Sequence, residues 1–175
     1  WGGRILGAMA THNARRIHYI GTDPNTDHIM DDLGITKYEY LADYFNSNVR
    51  GLNKNTYDVF RLGSEVIHKD KHFQKYRGKL DFVFTSPPYF AAEGYGEDET
   101  QSYKKFPQYD LWRDGFLRRT LETAVEYLRS DRYLCWNIAD VRLGTEMMPM
   151  EKDTRDILND LGMEDCGKMK MVLKA

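Results

Sequence analysis

Cysteine is nearly absent from this chain: of 175 residues only Cys135 and Cys166 carry a thiol. Two are too few for a disulfide framework, which excludes a small cross-linked scaffold and makes reduced thiols in a cytoplasmic compartment the expectation. No apolar run approaches the roughly 20 residues that cross a bilayer, and the first residues do not read as a signal peptide. No membrane partner is expected. Charge of one sign is lacking too: 25 lysines and arginines face 27 aspartates and glutamates, a net charge of −2. No global field draws the chain to nucleic acid, so any DNA-binding surface must be a local patch. Metal ligands are sparse. His68 and His72 stand four apart, as two ligands on one helical face would, but no obvious motif supplies a third, and no metal site is expected.

What is present is an alternation of strand and helix signals with no repeat. Residues 2–15 read as a helix, glycine-rich at its start and basic at its end. Residues 17–23 read as a strand ending in Asp23. Residues 27–49 read as mostly helical with a break at Gly34. A strand at 57–62 closes on Gly63-Ser64-Glu65, and a polar, basic helix or loop spans 68–79. A further strand follows at 81–85. Residues 90–110 form a long polar loop, and such loops inside a compact domain usually carry function or are disordered. Residues 111–129 carry Phe116, Leu117, Leu121, Ala124, Val125 and Leu128 at helical spacing. A strand at 133–138 and a helix at 151–161, capped by Gly162, complete the pattern. This order predicts one α/β domain over residues 1–175, a mostly parallel sheet with helices on both faces. Trp1-Gly2-Gly3-Arg4 enters a helix with no strand before it, and residues 169–173 read as a strand just begun. The chain is therefore expected to be part of a longer one, with the first and last strands of its sheet outside it.

The most informative segment is Asp81-Phe-Val-Phe-Thr-Ser86-Pro87-Pro88-Tyr89. Its apolar run reads as a strand buried on both faces. Two prolines then fix two φ angles and remove two backbone donors, so the turn is stiff and its carbonyls stay free. A hydroxyl, a carbonyl and an aromatic ring thus stand at the carboxyl end of a strand, where open α/β sheets put their ligands.

The Ser86-Pro87-Pro88-Tyr89 tetrad resembles the catalytic motif of S-adenosylmethionine-dependent amino-methyltransferases that act on DNA bases. Other pieces align with that family in order. Trp1-Gly2-Gly3-Arg4 is similar to the tail of its glycine-rich first motif, whose upstream part is missing. Asp23 matches the acid that accepts both ribose hydroxyls of the cofactor, and Ser64 and Glu65 stand where the adenine is met. The resemblance spans nearly the whole chain, including Glu93-Gly-Tyr95, Gln101-Ser102 and Tyr109-x-x-Trp112. It implies a Rossmann-like class I methyltransferase fold, S-adenosylmethionine as cofactor, and Gly2, Gly3, Asp23, Ser64, Glu65 and Ser86 as its binding residues. Ser86, Pro87, Pro88 and Tyr89 are implied as catalytic, with Tyr89 stacking on a flipped-out base.

Serine at the head of the tetrad favours N4 of cytosine as the target, with N6 of adenine second. Methyltransferases acting on RNA or on protein glutamine, which usually carry Asn or Asp there, and an inactive cofactor- or DNA-binding module are the remaining alternatives. There is no room for a target recognition domain between Glu65 and Ser86, so specificity is expected from outside the chain, from residues 90–110, or from a partner such as a cognate restriction endonuclease. Lys104 and Lys105, interleaved with Tyr103, Phe106 and Tyr109, suit contact with an unstacked DNA strand, and Glu93 is a further substrate-side candidate. The loop that holds them is expected to be mobile and to close over the base. Each position also has a plain structural reading: Asp23 as an Asx-turn before Pro24, Ser64-Glu65 as a simple turn, Ser86 as a cap, Tyr89 as a core aromatic. The basic stretch 69–79 reads equally as a phosphate contact or a solvated face.

Overall fold

The computed structural model describes residues 2–11, 16–24, 29–30, 34–48, 55–94 and 98–169. Helix α1 (Gly3–Ala10) is entered through Gly2 at φ 72, a left-handed conformation that glycine adopts without strain. A Cβ on Gly2 would also stand 3.0 Å from Leu41 Cδ1. The expected continuation of this helix over 12–15 lies outside the described residues. Strand β1 (His18–Thr22) follows. Of the stretch expected to be mostly helical from residue 27, residues 27–28 and 31–33 lie outside the described residues, and those described are helical from Lys37. Before it, β2 (Ile29–Met30) and β3 (Ile35–Thr36) pair as a short hairpin, with Gly34 at φ 66. Thr36 then starts α2 (Lys37–Asn48): its hydroxyl accepts the Glu39 N–H at 3.1 Å, and the Glu39 carboxylate accepts the Thr36 N–H at 2.7 Å. This reciprocal cap satisfies two donors that the helix itself leaves unpaired.

Strand β4 (Thr56–Phe60) leads into two 3₁₀ turns, Ile67–Lys69 and Phe73–Tyr76, and then β5 (Leu80–Thr85). Short helices α3 (Ser102–Lys105) and α4 (Tyr109–Trp112) precede a wide π turn, Arg113–Leu117, that runs on into α5 (Arg118–Tyr127). Strand β6 (Leu128–Trp136) follows directly. It starts earlier than the apolar run at 133–138 predicts, because Leu128 pairs with Leu80 before the register slips around Asp131 at φ 57. A hairpin of β7 (Val141–Leu143) and β8 (Glu146–Met148) turns at Gly144, φ 61, and α6 (Met150–Asp160) ends at Gly162, φ 79. Of the strand expected from 169, residues 170–173 lie outside the described residues.

The described strands make four separate two-stranded sheets: β1·β4 and β5·β6 are parallel, β2·β3 and β7·β8 antiparallel. Side chains alternate across β1·β4 as the pleat requires. Tyr19, Tyr57 and Val59 pack on one face with Ile5, Met9 and Ala42 of α1 and α2. Ile20 and Phe60 lie on the other with Ile67, Phe73 and Tyr127. Leu80 of β5 joins that second cluster, so one apolar core ties both parallel pairs. A third cluster gathers Trp112, Phe116, Leu117 and Leu121 against Met148, Met150 and Ile157. Each large side chain buried there contributes about 1.5–3 kcal/mol. One face of β5·β6 is uncovered among the described residues: Phe82, Phe84 and Tyr133 are 57%, 51% and 67% exposed. No described helix is long and apolar enough to cross a membrane.

Candidate functional site

Of the residues singled out in the sequence, Asp23, Ser64–Glu65 and Ser86–Tyr89 follow the carboxyl ends of β1, β4 and β5. Asp23 follows β1, and its N–H donates to the Phe60 carbonyl at the end of β4 at 3.0 Å. Its carboxylate accepts the Tyr38 hydroxyl at 2.6 Å. Burial first, and then that bond and the Asp23 charge, push the Tyr38 phenol well above its ordinary pKa, so Tyr38 stays a donor at any physiological pH.

The Gly63–Glu65 turn after β4 is held by its own side chains. A Cβ on Gly63 would collide with the Glu65 carboxylate, so only glycine lets that carboxylate fold back. Glu65 is buried, and its Oε1 accepts Lys105 Nζ at 2.8 Å. The Ser64 hydroxyl shares a hydrogen bond with Thr120 on α5 at 2.8 Å. Both side chains expected to meet the cofactor are thus engaged within the protein.

The tetrad follows β5. Pro87 is buried, while Ser86, Pro88 and Tyr89 are half-buried. No hydrogen bond reaches the Pro87 carbonyl among the described residues. The Ser86 carbonyl accepts Arg4 of α1 at 3.2 Å, and its Oγ lies 3.3 Å from Asn137 Nδ2. The Tyr89 hydroxyl donates to the Asn137 carbonyl at 3.4 Å, and its ring packs against the third core cluster. The chain leaves the turn through Phe90 at φ 47, a conformation that costs a non-glycine residue about 1–3 kcal/mol. Its ring sits 5.6 Å from Tyr109 and 5.7 Å from Trp112, which holds it there.

Of the loop expected over 90–110, residues 98–110 are folded, with α3 and the start of α4 in them. Trp112 is fully buried and donates to Ser102 Oγ at 3.1 Å, and Gln101 and Ser102 are buried. Lys104 lies 3.6 Å from Glu99, so both lysines expected to touch DNA have carboxylate partners in the chain. The reason is aromatic: Tyr103, Phe106 and Tyr109, read as base contacts, pack on the core instead. Glu93 is half-buried shortly after the tetrad.

Among the described residues no group of three or more His, Cys, Asp or Glu side chains is placed to hold a metal ion. His72 instead approaches Asp58 at 3.4 Å, beside Lys75 at 3.1 Å and His18 at 3.7 Å. A cavity of about 490 Å³ opens away from the tetrad, between Gln108–Asp110 and Glu146–Pro149. Two residues of the cluster escaped the sequence reading. Arg4 was visible only as the tail of a glycine motif, and Asn137 only as the penultimate residue of a strand. Compared with family models, curated proteins and solved structures, the chain finds no match in any of the three.

Proposed function

We propose that this chain is the catalytic part of an S-adenosylmethionine-dependent methyltransferase, with Rossmann-like strand order, acting on the exocyclic amine of a flipped-out DNA base. Cytosine N4 is the favoured target. The observation that carries the reading is order along the chain: Asp23, Gly63–Glu65, Ser86–Tyr89 and Asn137 follow the ends of β1, β4, β5 and β6 in turn, and Arg4 of α1 reaches the tetrad.

The residues fit the cofactor in part. Asp23 has the carboxylate that a ribose diol requires, and the space over Gly3 is open, with nothing within 4 Å of a Cβ built there. Ser64 and Glu65 are turned to Thr120 and Lys105, so that turn offers its backbone rather than these side chains. When bound, S-adenosylmethionine supplies an electrophilic methyl group on a sulfonium. The chain's own part is positioning. An aromatic amine is a poor nucleophile because its lone pair is delocalised into the ring. Ser86 Oγ and the Pro87 carbonyl would each accept one amine hydrogen, favouring a pyramidal nitrogen with its lone pair toward the methyl. This is preorganised electrostatics in a stiff turn and requires no covalent intermediate. Tyr89, tied to Asn137, would wall the base. DNA is the partner this chemistry implies, and Lys104 and Lys105 could reach its phosphates only by exchanging their carboxylates.

The test uses the full chain with S-adenosylmethionine and unmethylated DNA, followed by digestion to nucleosides and mass spectrometry. Methylcytosine is expected; methyladenine moves the target to adenine, and labelled RNA moves it to RNA. Calorimetry with S-adenosylhomocysteine runs in parallel. Asp23→Ala removes charge-assisted hydrogen bonds of about 1.5–3 kcal/mol each, so binding should weaken roughly tenfold or more. Binding without transfer to any nucleic acid indicates an inactive module, and no binding at all overturns the reading.

A further inference from the structure

Asn137 touches the catalytic turn three times. Its N–H donates to the Thr85 carbonyl at 2.9 Å, its carbonyl accepts the Tyr89 hydroxyl at 3.4 Å, and its side-chain Nδ2 donates to Ser86 Oγ at 3.3 Å. One residue at the end of β6 therefore grips the last residue of β5 and the first and last residues of the tetrad. The backbone contact continues the parallel ladder, in which Thr85 pairs with Trp136. The side-chain contact has no such ladder role. Nor is it forced by complete burial, since Ser86 and Asn137 are both only half-buried.

Its chemical consequence lies in the inventory of a hydroxyl. Ser86 Oγ has one hydrogen and two lone pairs, and the hydrogen swings freely about Cβ–Oγ. A donor placed against one lone pair keeps the hydrogen out of that direction and leaves one lone pair and the O–H to share the other two, open to whatever enters the turn. We propose that Asn137 is a positioning residue that narrows the hydroxyl rotor of Ser86, so that a lone pair is held available to an incoming amine hydrogen. This inference rests on the methyltransferase reading and deepens it. A serine is a weaker acceptor than a carboxylate, and orienting its lone pair is the way a neutral hydroxyl can do the work. The same amide leaves Ser86 with an outward O–H. A base whose amine stands beside an unprotonated ring nitrogen, as in cytosine and adenine, offers the acceptor for that hydrogen.

The experiment compares single-turnover methyl transfer by the full chain with Ser86→Ala, Asn137→Ala and the double variant, alongside calorimetric binding of S-adenosylhomocysteine. A lost positioning contact costs up to about 100-fold in rate. Asn137→Ala is expected to lower the transfer rate by that order while cofactor affinity and the KM for DNA stay within about threefold. The double variant is expected to be no slower than Ser86→Ala, because Asn137 acts through the hydroxyl that is already gone. Asn137→Asp supplies a second readout that survives if the alanine variant fails to fold. Its carboxyl can donate to Ser86 only when protonated, so its rate relative to the parent should climb as pH falls from about 7.5 to about 5.5. Losses that multiply in the double variant, or an aspartate variant whose relative rate ignores pH, overturn the role of Asn137 while leaving the enzyme reading intact. A parent chain that neither binds S-adenosylhomocysteine nor transfers a methyl group overturns both.

Discussion

At the scale of single residues, one polar cluster lies away from the strand ends, in the middle of β4. Asp58 receives hydrogen bonds from Tyr76 and Lys75, and His18 and His72 stand within 4 Å. Burial works against its charge, yet the Tyr76 and Lys75 hydrogen bonds and the nearby cations outweigh it and hold its pKa below the ordinary carboxylate value. A carboxyl whose folded pKa is depressed adds stability that is complete above its unfolded value, near 3.9, and disappears as pH falls through the folded value. Asp58→Asn should therefore lower the urea midpoint at neutral pH, and the gap to the parent should close steadily below about pH 4. Urea unfolding across pH 2.5 to 7 checks this, and a gap that does not change with pH would exclude the mechanism. At the end of β1 the Tyr38 hydroxyl already donates to the Asp23 carboxylate ahead of any ligand.

At the scale of elements, the most informative segment is α3 to α4. It carries the residues read as a mobile DNA-contacting loop, yet Trp112 buries its whole indole there and Lys105 is joined to Glu65. The consequence is a segment clamped to the Gly63–Glu65 turn at one end and to the core at the other. Protection follows from that clamp, because cleavage requires a local opening that exposes Trp112. Trypsin should leave the bonds after Lys104 and Lys105 intact until the protein unfolds. Early cuts at either lysine, mapped by mass spectrometry, would restore the picture of an open loop. The Glu65–Lys105 pair also links the turn expected near the cofactor to the segment expected near the base.

At the scale of the whole molecule, two parallel strand pairs share one apolar cluster through Leu80, Phe73 and Tyr127. The face of β5·β6 that the described residues leave uncovered presents stacked Phe82 and Phe84, with ring centroids 6.4 Å apart, beside Tyr133. Side chains already in water lose little when made polar. Replacing both phenylalanines with threonine, which keeps strand propensity, should change the unfolding free energy by less than about 1 kcal/mol. The same change should reduce binding of a hydrophobic dye such as anilinonaphthalene sulfonate. Destabilisation of several kcal/mol, measured in urea, would mean that this face is covered in the folded protein.

The sequence by itself determined what depends on neighbours in the chain. The stretches read as strands at 17–23, 57–62 and 81–85 overlap β1, β4 and β5, the Pro87-Pro88 pair sets a stiff turn after the third, and Gly162 ends the last helix, because propensity, capping and fixed φ act over a few residues. Tertiary structure decided what depends on residues far apart. Arg4 meets Ser86 across 82 positions and Asn137 meets it across 51, and Lys105 reaches Glu65 across 40. No local pattern signals such pairs. The β2·β3 hairpin was hidden for a related reason: two-residue strands carry too little periodicity to be seen, and only their pairing reveals them. The aromatics of 103–109 show the same division. Their interleaving with lysine reads equally as a surface for bases or a face for the core, and the choice fell to the core because Trp112, Phe116 and Leu117 offered them apolar surface to bury.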